Sequence, residues 1–423
     1  MKTLAYILIL LNIQGILSGQ IADSLRISEC LEMATERSPL SRQIGISEEI
    51  LAYRIQNLNS NWLPAAGINA QALYNSETID FSDVLPNMPG TTPSLPLDQY
   101  KVWADIHQQI YDGGATRALK EAERADHNST LLQTETDLLN VKTQVSQVYF
   151  SLLIAQKNAE VLKIVMGELS SRKKTLQSGV NYGVVLPENL LAMDAEEINL
   201  QQKLTELKLF RKQLIDILSV LMDTALSADL ILVEPVQPEL NQQGFRPEFQ
   251  LFESQIDRLS ANQKLITSGD LPKLYAFSQV AYGRPGYNMV SDDFHTFYSI
   301  GAGMKWNFLN YGDSRRQKKT LDIQKDLIDV KRENFDNQLQ IQLLTEATNI
   351  EKYDSLIKND EKILNIRKTI ATSSLSKLNN GVITSTDYLT DMNAEILARL
   401  QLENHRILRI QATFNHALIQ GKL

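Results

Sequence analysis

The chain has 423 residues, 43% hydrophobic and 22% charged, with 42 basic against 50 acidic side chains and a formal net charge of −8. That length supplies ample apolar sequence for two or three cores, while the acidic balance and the lack of a long basic run exclude a dedicated nucleic-acid binder, whose affinity comes mostly from phosphate contacts. The single cysteine, Cys30, excludes an intramolecular disulfide framework and a Cys-rich zinc site, and five scattered histidines with no H-x-H or H-x-x-x-H pair offer no metal centre.

Residues 1–19 begin with the positive Lys2 and continue as an apolar stretch from Leu4 to Leu17, broken only by Asn12, Gln14 and Gly15. They end in the small pair Ser18-Gly19 before Gln20. This is the layout of a secretory signal peptide, too short and too soon interrupted for a spanning helix; a buried N-terminal core strand is the bland alternative. Cys30 lies well past the apolar stretch, which argues against a lipid-anchored cysteine at the cleavage site. No later window offers the roughly twenty apolar residues of a membrane helix, so the mature protein is expected to be exported without one.

A helix is predicted from about Ser28 to Ser60, and after Leu63-Pro64 the period changes to two. Ala66, Ile68, Ala70, Ala72 and Tyr74 alternate with polar or small residues, and Tyr100, Val102, Ala104, Ile106 and Ile110 alternate with Lys101, Asp105, His107 and Gln109. These are two strands, about 65–75 and 99–111, around an outer loop 76–98 that is rich in proline. Each is about ten residues long, the length that crosses a bilayer at a tilt. Aromatic residues gather at both ends, with Tyr74 and Tyr100 by the loop and Trp62 and Tyr111 opposite. Such belts suit a transmembrane barrel; on periodicity alone, two soluble hairpins on a helical core fit equally well.

From Gly114 no proline intervenes until Pro187, and Leu138, Val141, Val145, Val148, Leu152, Ala155, Ala159, Leu162 and Met166 step alternately by three and four. This heptad seam predicts one helix from 115 to about 180, roughly 100 Å long at 1.5 Å per residue. A rod of that kind must pair with another helix. The partner is the segment from Pro187 to about Leu221, antiparallel after a tip at about 179–187 that turns on Gly179 and Gly183.

The same order then recurs. Ser38-Pro39 and Leu63-Pro64 are echoed by Arg246-Pro247 and Leu271-Pro272 at an offset of 208; the run from Ile110 to Arg117 and the tip Gly183-Val184-Val185 are echoed by Phe308 to Arg315 and Gly381-Val382-Ile383 at an offset of 198. The second strands are expected at about 273–283 and 297–309, with Tyr282 and Tyr298 by the outer loop 284–296 and Trp306 and Tyr311 opposite. In the first of these strands Tyr275 and Phe277 fall on the wrong face for simple alternation. The second seam, Leu339, Leu343, Glu346, Ile350, Tyr353, Ile357, Asp360 and Leu364, carries two acidic interruptions, and the second tip lies at about 377–385 before the capping box Thr384 to Asp387. The predicted fold is mainly α with transmembrane β: two tandem helix–strand-pair–helix repeats, 20–228 and 229–423, forming long antiparallel coiled-coil hairpins plus four strands. Four strands cannot close a membrane barrel, and an open edge in lipid leaves hydrogen bonds unmet. Membrane entry therefore demands partner copies.

The export signal, the duplication and the ordered markers Ala34 with Ser38-Pro39, Leu63-Pro64, Asp112-Gly113-Gly114 with Arg117, and the two tip glycines together resemble the TolC-like outer-membrane efflux channel family of Gram-negative bacteria. The resemblance implies a homotrimer whose strands close a 12-stranded β-barrel in outer-membrane lipid and whose helices form a periplasmic α-helical tunnel. It implies a channel without catalytic residues, cofactor or resident metal, docked to a periplasmic adaptor (membrane-fusion protein) of an inner-membrane pump through Gly183, Val184, Val185, Gly381, Val382 and Ile383. It also implies an acidic periplasmic gate, for which Asp387 is the candidate; plain helix capping is the alternative role. A second acidic ring would fall on Thr390, with Asp391 one residue on, and the first-copy equivalent of Asp387 is the uncharged Asn189. The competing reading of the whole chain is a periplasmic coiled-coil scaffold or adaptor that never enters lipid.

Overall fold

The computed structural model describes residues 24–78, 95–236, 244–288 and 291–422. The expected signal peptide and most of the first outer loop lie outside them. The elements are β1 (Ser24–Leu25), α1 (Ile27–Arg37), α2 (Pro39–Ser60), β2 (Ala65–Tyr74), β3 (Asp98–Tyr111), α3 (Ala115–Asn181) and α4 (Pro187–Leu221), then β4 (Ile231–Leu232), α5 (Pro247–Gly269), β5 (Lys273–Arg284), β6 (His295–Lys305), α6 (Asp313–Asn379) and α7 (Ser385–Ile419). Among the described residues no helix is long and apolar enough to cross a membrane. The chain divides into two compact units, one of Met1–Ser38, Leu138–Gly244 and Ile341–Leu423, the other of Pro39–Asp137 and Phe245–Gln340.

The first unit is helical apart from a parallel pair, Ser24 with Ile231 and Leu25 with Leu232. Around that pair Ile27, Cys30 and Ala34 of α1, Tyr149, Phe150 and Leu153 of α3, Leu214 and Leu218 of α4, and Ile407 and Phe414 of α7 form one core. The Tyr149 hydroxyl lies 3.0 Å from the carbonyl oxygen of Leu25 and 2.6 Å from that of Val233, next to both short strands. Burial drives its pKa well above the ordinary tyrosine value. A second core joins Leu162, Val165 and Leu169 of α3, Met193 and Leu200 of α4, Leu378 of α6, and Tyr388, Met392 and Ile396 of α7. Several buried residues of α3 come as adjacent pairs, among them Tyr149-Phe150, Leu152-Leu153 and Val161-Leu162. That stripe is wider than the two-helix seam expected, because α3 shares its core with more than one helix.

Both acidic interruptions of the second seam meet polar partners on α7. Asp360, 7% exposed, accepts from His405 Nδ1 at 2.6 Å, and Glu346 accepts from Asn415 Nδ2 at 3.2 Å. His405→Leu is expected to destabilise the protein by about 2–3 kcal/mol, below the figure for a fully buried pair because the histidine is a quarter exposed. The double change Asp360→Leu with His405→Leu should restore most of that loss in chemical denaturation.

In the second unit all strands are antiparallel in the order β2-β3-β5-β6, so β2 and β6 are edges. Polar contacts between its helices include Ser47 with His127 (2.9 Å), Arg54 with Glu123 (2.8 Å) and Lys264 with Glu121 (2.6 Å). The helix expected from Ser28 to Ser60 is two helices, because Ser38, placed before Pro39, has ψ 136°; the proline ring disfavours an α conformation in the residue before it. The last expected strand ends at Lys305 rather than 309. Beyond it the chain turns onto Asp270, whose carbonyl accepts from Trp306 Nε1 (3.0 Å) and whose carboxylate accepts from Asn310 (2.7 Å) and Ser314 (2.6 Å).

Asp112 opens α3 by accepting from the backbone N–H of Gly114 (2.8 Å) and of Thr116 (2.6 Å). Partial burial pushes its pKa up, but the hydrogen bonds from Thr116 and Gly114 outweigh this and hold it low. Asn310 does the same work before α6 with the N–H of Gly312 (3.2 Å). The residues that follow, Gly113 and Tyr311, both have positive φ, 71° and 49°.

Candidate functional site

Two places carry the functional expectations: the helical tips and the four-stranded sheet. At the first tip Gly183 has φ +74°, and the N–H groups of Val184 and Val185 return to the Gly179 carbonyl at 2.9 and 3.2 Å. At the second, Gly381 has φ +68° and the N–H of Val382 returns to the Lys377 carbonyl at 2.9 Å. Both are left-handed helix terminations in which glycine carries no Cβ penalty. Gly179 is required for a different reason. A Cβ there would lie 2.6 Å from Val185 Cγ2, so Val185 of the turn folds back onto the end of α3.

The six tip residues therefore differ in presentation. Val184 and Val382 are exposed, whereas Val185 is half-buried and Ile383 packs against the core. Tyr182 and Leu186, not singled out from sequence, are as exposed as the two valines. Apolar residues flanking a glycine turn were the available signal.

Asp387 sits in the first turn of α7 and is turned toward its own helix. Its Oδ2 accepts from the Thr384 N–H (3.0 Å) and hydroxyl (2.7 Å), while its N–H donates to Thr384 Oγ1 (3.2 Å). The Thr384 hydroxyl and backbone N–H hold this carboxyl below its ordinary value. The cap is thus fully present above the unfolded-state pKa near 3.9 and is lost as pH falls through the lower folded value. Thr390 is exposed and its hydroxyl returns to the Thr386 carbonyl (3.0 Å), whereas Asp391 is partly buried and accepts from Ser374.

Asn189 has a role that sequence reasoning missed. Its Oδ1 accepts from the Ser385 N–H at 2.7 Å, so a residue of α4 caps α7 and ties one tip to the other. Nearby, the Arg172 guanidinium lies 5.0 Å from the centre of the buried Tyr388 ring, and Lys173 bridges Asp194 (2.6 Å) and Glu197 (2.8 Å). Hydrogen bonds to Asp194 and Glu197 push the Lys173 pKa up to about 12.

The sheet presents two chemically different faces. Ile68, Val102, Ile106, Val280, Tyr298, Ile300 and Met304 are all exposed on one face. Register places Asn69, Lys101, Asp105, His107, Gln279 and Ser299 on the other. There Asn69 donates to Asp105 (2.5 Å), His107 Nε2 lies 3.5 Å from Asp105, and Lys101 donates to Gln279 (3.1 Å). At the loop end Arg284 pairs with Asp98 (2.6 Å) and Asp292 (3.7 Å) beneath Phe294, which stacks near Tyr100 and Tyr282. Asp292 of the outer loop is thus part of a pinned cluster.

The displaced aromatics of β5 have a clear cause. Tyr275 and Phe277 lie over Gly303 and Gly301 of β6, where an added Cβ would come within 2.5 and 2.6 Å of their rings. Among the described residues no group of three or more His, Cys, Asp or Glu side chains is placed to hold a metal ion.

Long helices broken by glycine tips, joined to a four-stranded antiparallel sheet of one apolar and one polar face, make a fold that this chain shares with solved outer-membrane channels. No family model and no curated protein matches the sequence, but solved structures match along almost its whole length. The outer membrane protein VceC of Vibrio cholerae is similar with a TM-score of 0.69 at 12% identity, over 93% of this chain and 96% of that one. CusC gives a TM-score of 0.71 at 11% identity, over 93% and 92%. The CmeC outer membrane channel of Campylobacter jejuni gives 0.66 at 15%, over 94% and 85%. The single-chain fold, mostly helical with a few strands, matches that of these outer-membrane channels, as the TolC-like resemblance implies.

Proposed function

We propose that this protein is the outer-membrane exit duct of a tripartite efflux or secretion system, a passive conduit in which cargo undergoes no chemistry. The observation that carries the reading is the sheet β2-β3-β5-β6. It exposes an apolar face, leaves an edge strand at each side, and has too few strands to close alone. Three copies supply twelve strands and remove every edge, with the apolar face toward outer-membrane lipid and the polar face toward the lumen. On α6 the side chains Ile323, Leu327 and Val330, then Ile341 and Leu344, are exposed at steps of three and four, a stripe suited to burial against a second copy in a homotrimer.

In this reading the helices extend into the periplasm of a Gram-negative cell. The tips Gly183-Val184-Val185 and Gly381-Val382-Ile383 dock on a periplasmic adaptor, and an inner-membrane pump supplies the driving force. Asp387 of three copies forms a ring that narrows the pore and favours cations. Planar-bilayer conductance of the detergent-extracted protein, wild type beside Asp387→Ala, tests this. Discrete cation-preferring channels that widen or lose selectivity in the variant are expected. Channels unchanged by the substitution would leave the duct and return Asp387 to capping alone. A stable water-soluble oligomer without conductance would sink the duct and favour the periplasmic scaffold.

A further inference from the structure

One end of the sheet's polar face combines two features that the duct does not by itself require. Lys273 of β5 and Lys305 of β6 are direct register partners, an arrangement of like charges that destabilises a strand pair. Among the described residues neither ammonium has an ion-pair or hydrogen-bond partner. The carboxylate closest in sequence, Asp270, is engaged by Asn310, Ser314 and Lys318. Asp105, on the same face, is opposite Gln279 in the register and is already met by Asn69 and His107.

The next two rows on that face are Tyr275 with Gly303 and Phe277 with Gly301, about 7 Å and 14 Å along the strands at ~3.4 Å per residue. The missing side chains at Gly303 and Gly301 seat each ring against the β6 backbone, which leaves the opposite ring face turned away from the sheet. The two ring centres are 6.3 Å apart, so they form one apolar step beside the paired ammoniums.

We propose that Lys273, Lys305, Tyr275 and Phe277 form a binding surface for amphipathic organic anions that carry a planar ring. A carboxylate or sulfonate sits against the two ammoniums and relieves their mutual repulsion. The attached ring stacks on Tyr275 and reaches toward Phe277. A cation of the same shape is rejected by the lysine pair, and an anion without a ring lacks the aromatic step. The surface rests on the reading of this face as the channel lumen, where it would hold such anions against the wall.

The test is calorimetric titration of the detergent-extracted protein with 2-naphthalenesulfonate, beside 1-naphthylmethylammonium and methanesulfonate, together with the same additions to bilayer channels. Naphthalenesulfonate is expected to bind at least about tenfold more tightly than either control, a difference of ~1.4 kcal/mol, and to interrupt the channel current. The double variant Lys273→Gln with Lys305→Gln should lose that preference, and Gly303→Val, which unseats Tyr275, should weaken binding without altering the charge. Lys305→Gln alone, at an exposed position, gives a several-fold loss and covers the case of a double variant that folds poorly. Equal binding of the naphthyl cation and anion, or binding indifferent to the lysine substitutions, overturns the site. Channels that form but ignore the anion leave the duct standing and overturn the site. Anion binding with these dependences in a protein that forms no channels keeps the site and removes the duct.

Discussion

Ile300→Arg is expected to prevent stable membrane assembly, while Ser299→Arg, one residue away, leaves it intact. Ile300 is 77% exposed on the face that also carries Ile68, Val102 and Val280. Ser299 is opposite Gln279 in the register, on the polar face. An arginine facing lipid near the bilayer midplane costs about 2–4 kcal/mol, and a trimer would bear that cost in each copy. In the duct reading, an arginine on the polar face remains in water. Extraction of oligomer from outer-membrane fractions, with both variants expressed side by side, reads the difference. Equal behaviour of the two variants would mean that the apolar face does not meet lipid, and the scaffold reading would gain.

The second large effect is expected in the helical unit. Tyr149→Ala should destabilise it by about 3–5 kcal/mol, the range for emptying a buried aromatic site. Its ring packs edge-on against Phe150 of the same helix, which in turn packs against Phe414 of α7, inside the core that α1 and α4 also line. Tyr149→Phe keeps the ring and loses only the hydroxyl that reaches the Leu25 and Val233 carbonyls. That loss should be about 1–1.5 kcal/mol. Chemical denaturation followed by helical circular dichroism distinguishes the two. A Tyr149→Phe loss as large as the alanine loss would place the value of this residue in its hydrogen bonding to the paired strands rather than in packing.

The candidate site was legible in the sequence where a residue type answers a local backbone demand. Gly183 and Gly381 mark left-handed turns, and both have positive φ. Thr384 and Asp387 mark a helix start, and they form a reciprocal cap. The residues that went unseen act across the chain. Asn189 caps a helix that begins at Ser385, and no pattern around Asn189 announces a partner so far away. Tyr275 and Phe277 looked like faults in the alternation, because the glycines that seat them belong to the following strand. The seam of Val145, Leu152 and Leu162 was correctly apolar, yet its neighbours Tyr149, Phe150 and Leu153 are just as deeply buried. A heptad pattern reports one partner helix, and α3 has several.

By themselves, the residues of this chain determined the period of each segment, the places where the helices turn, and an alternation that gives the strands two unlike faces. These follow from steric limits on φ and ψ and from the geometry of one helix or one strand, so they depend only on near neighbours. The tertiary structure decided which residues meet: Asp360 with His405, Asn189 with Ser385, and Lys273 beside Lys305 below two seated rings. Such pairings depend on packing and on the relative register of segments far apart in the chain, which the local pattern does not encode.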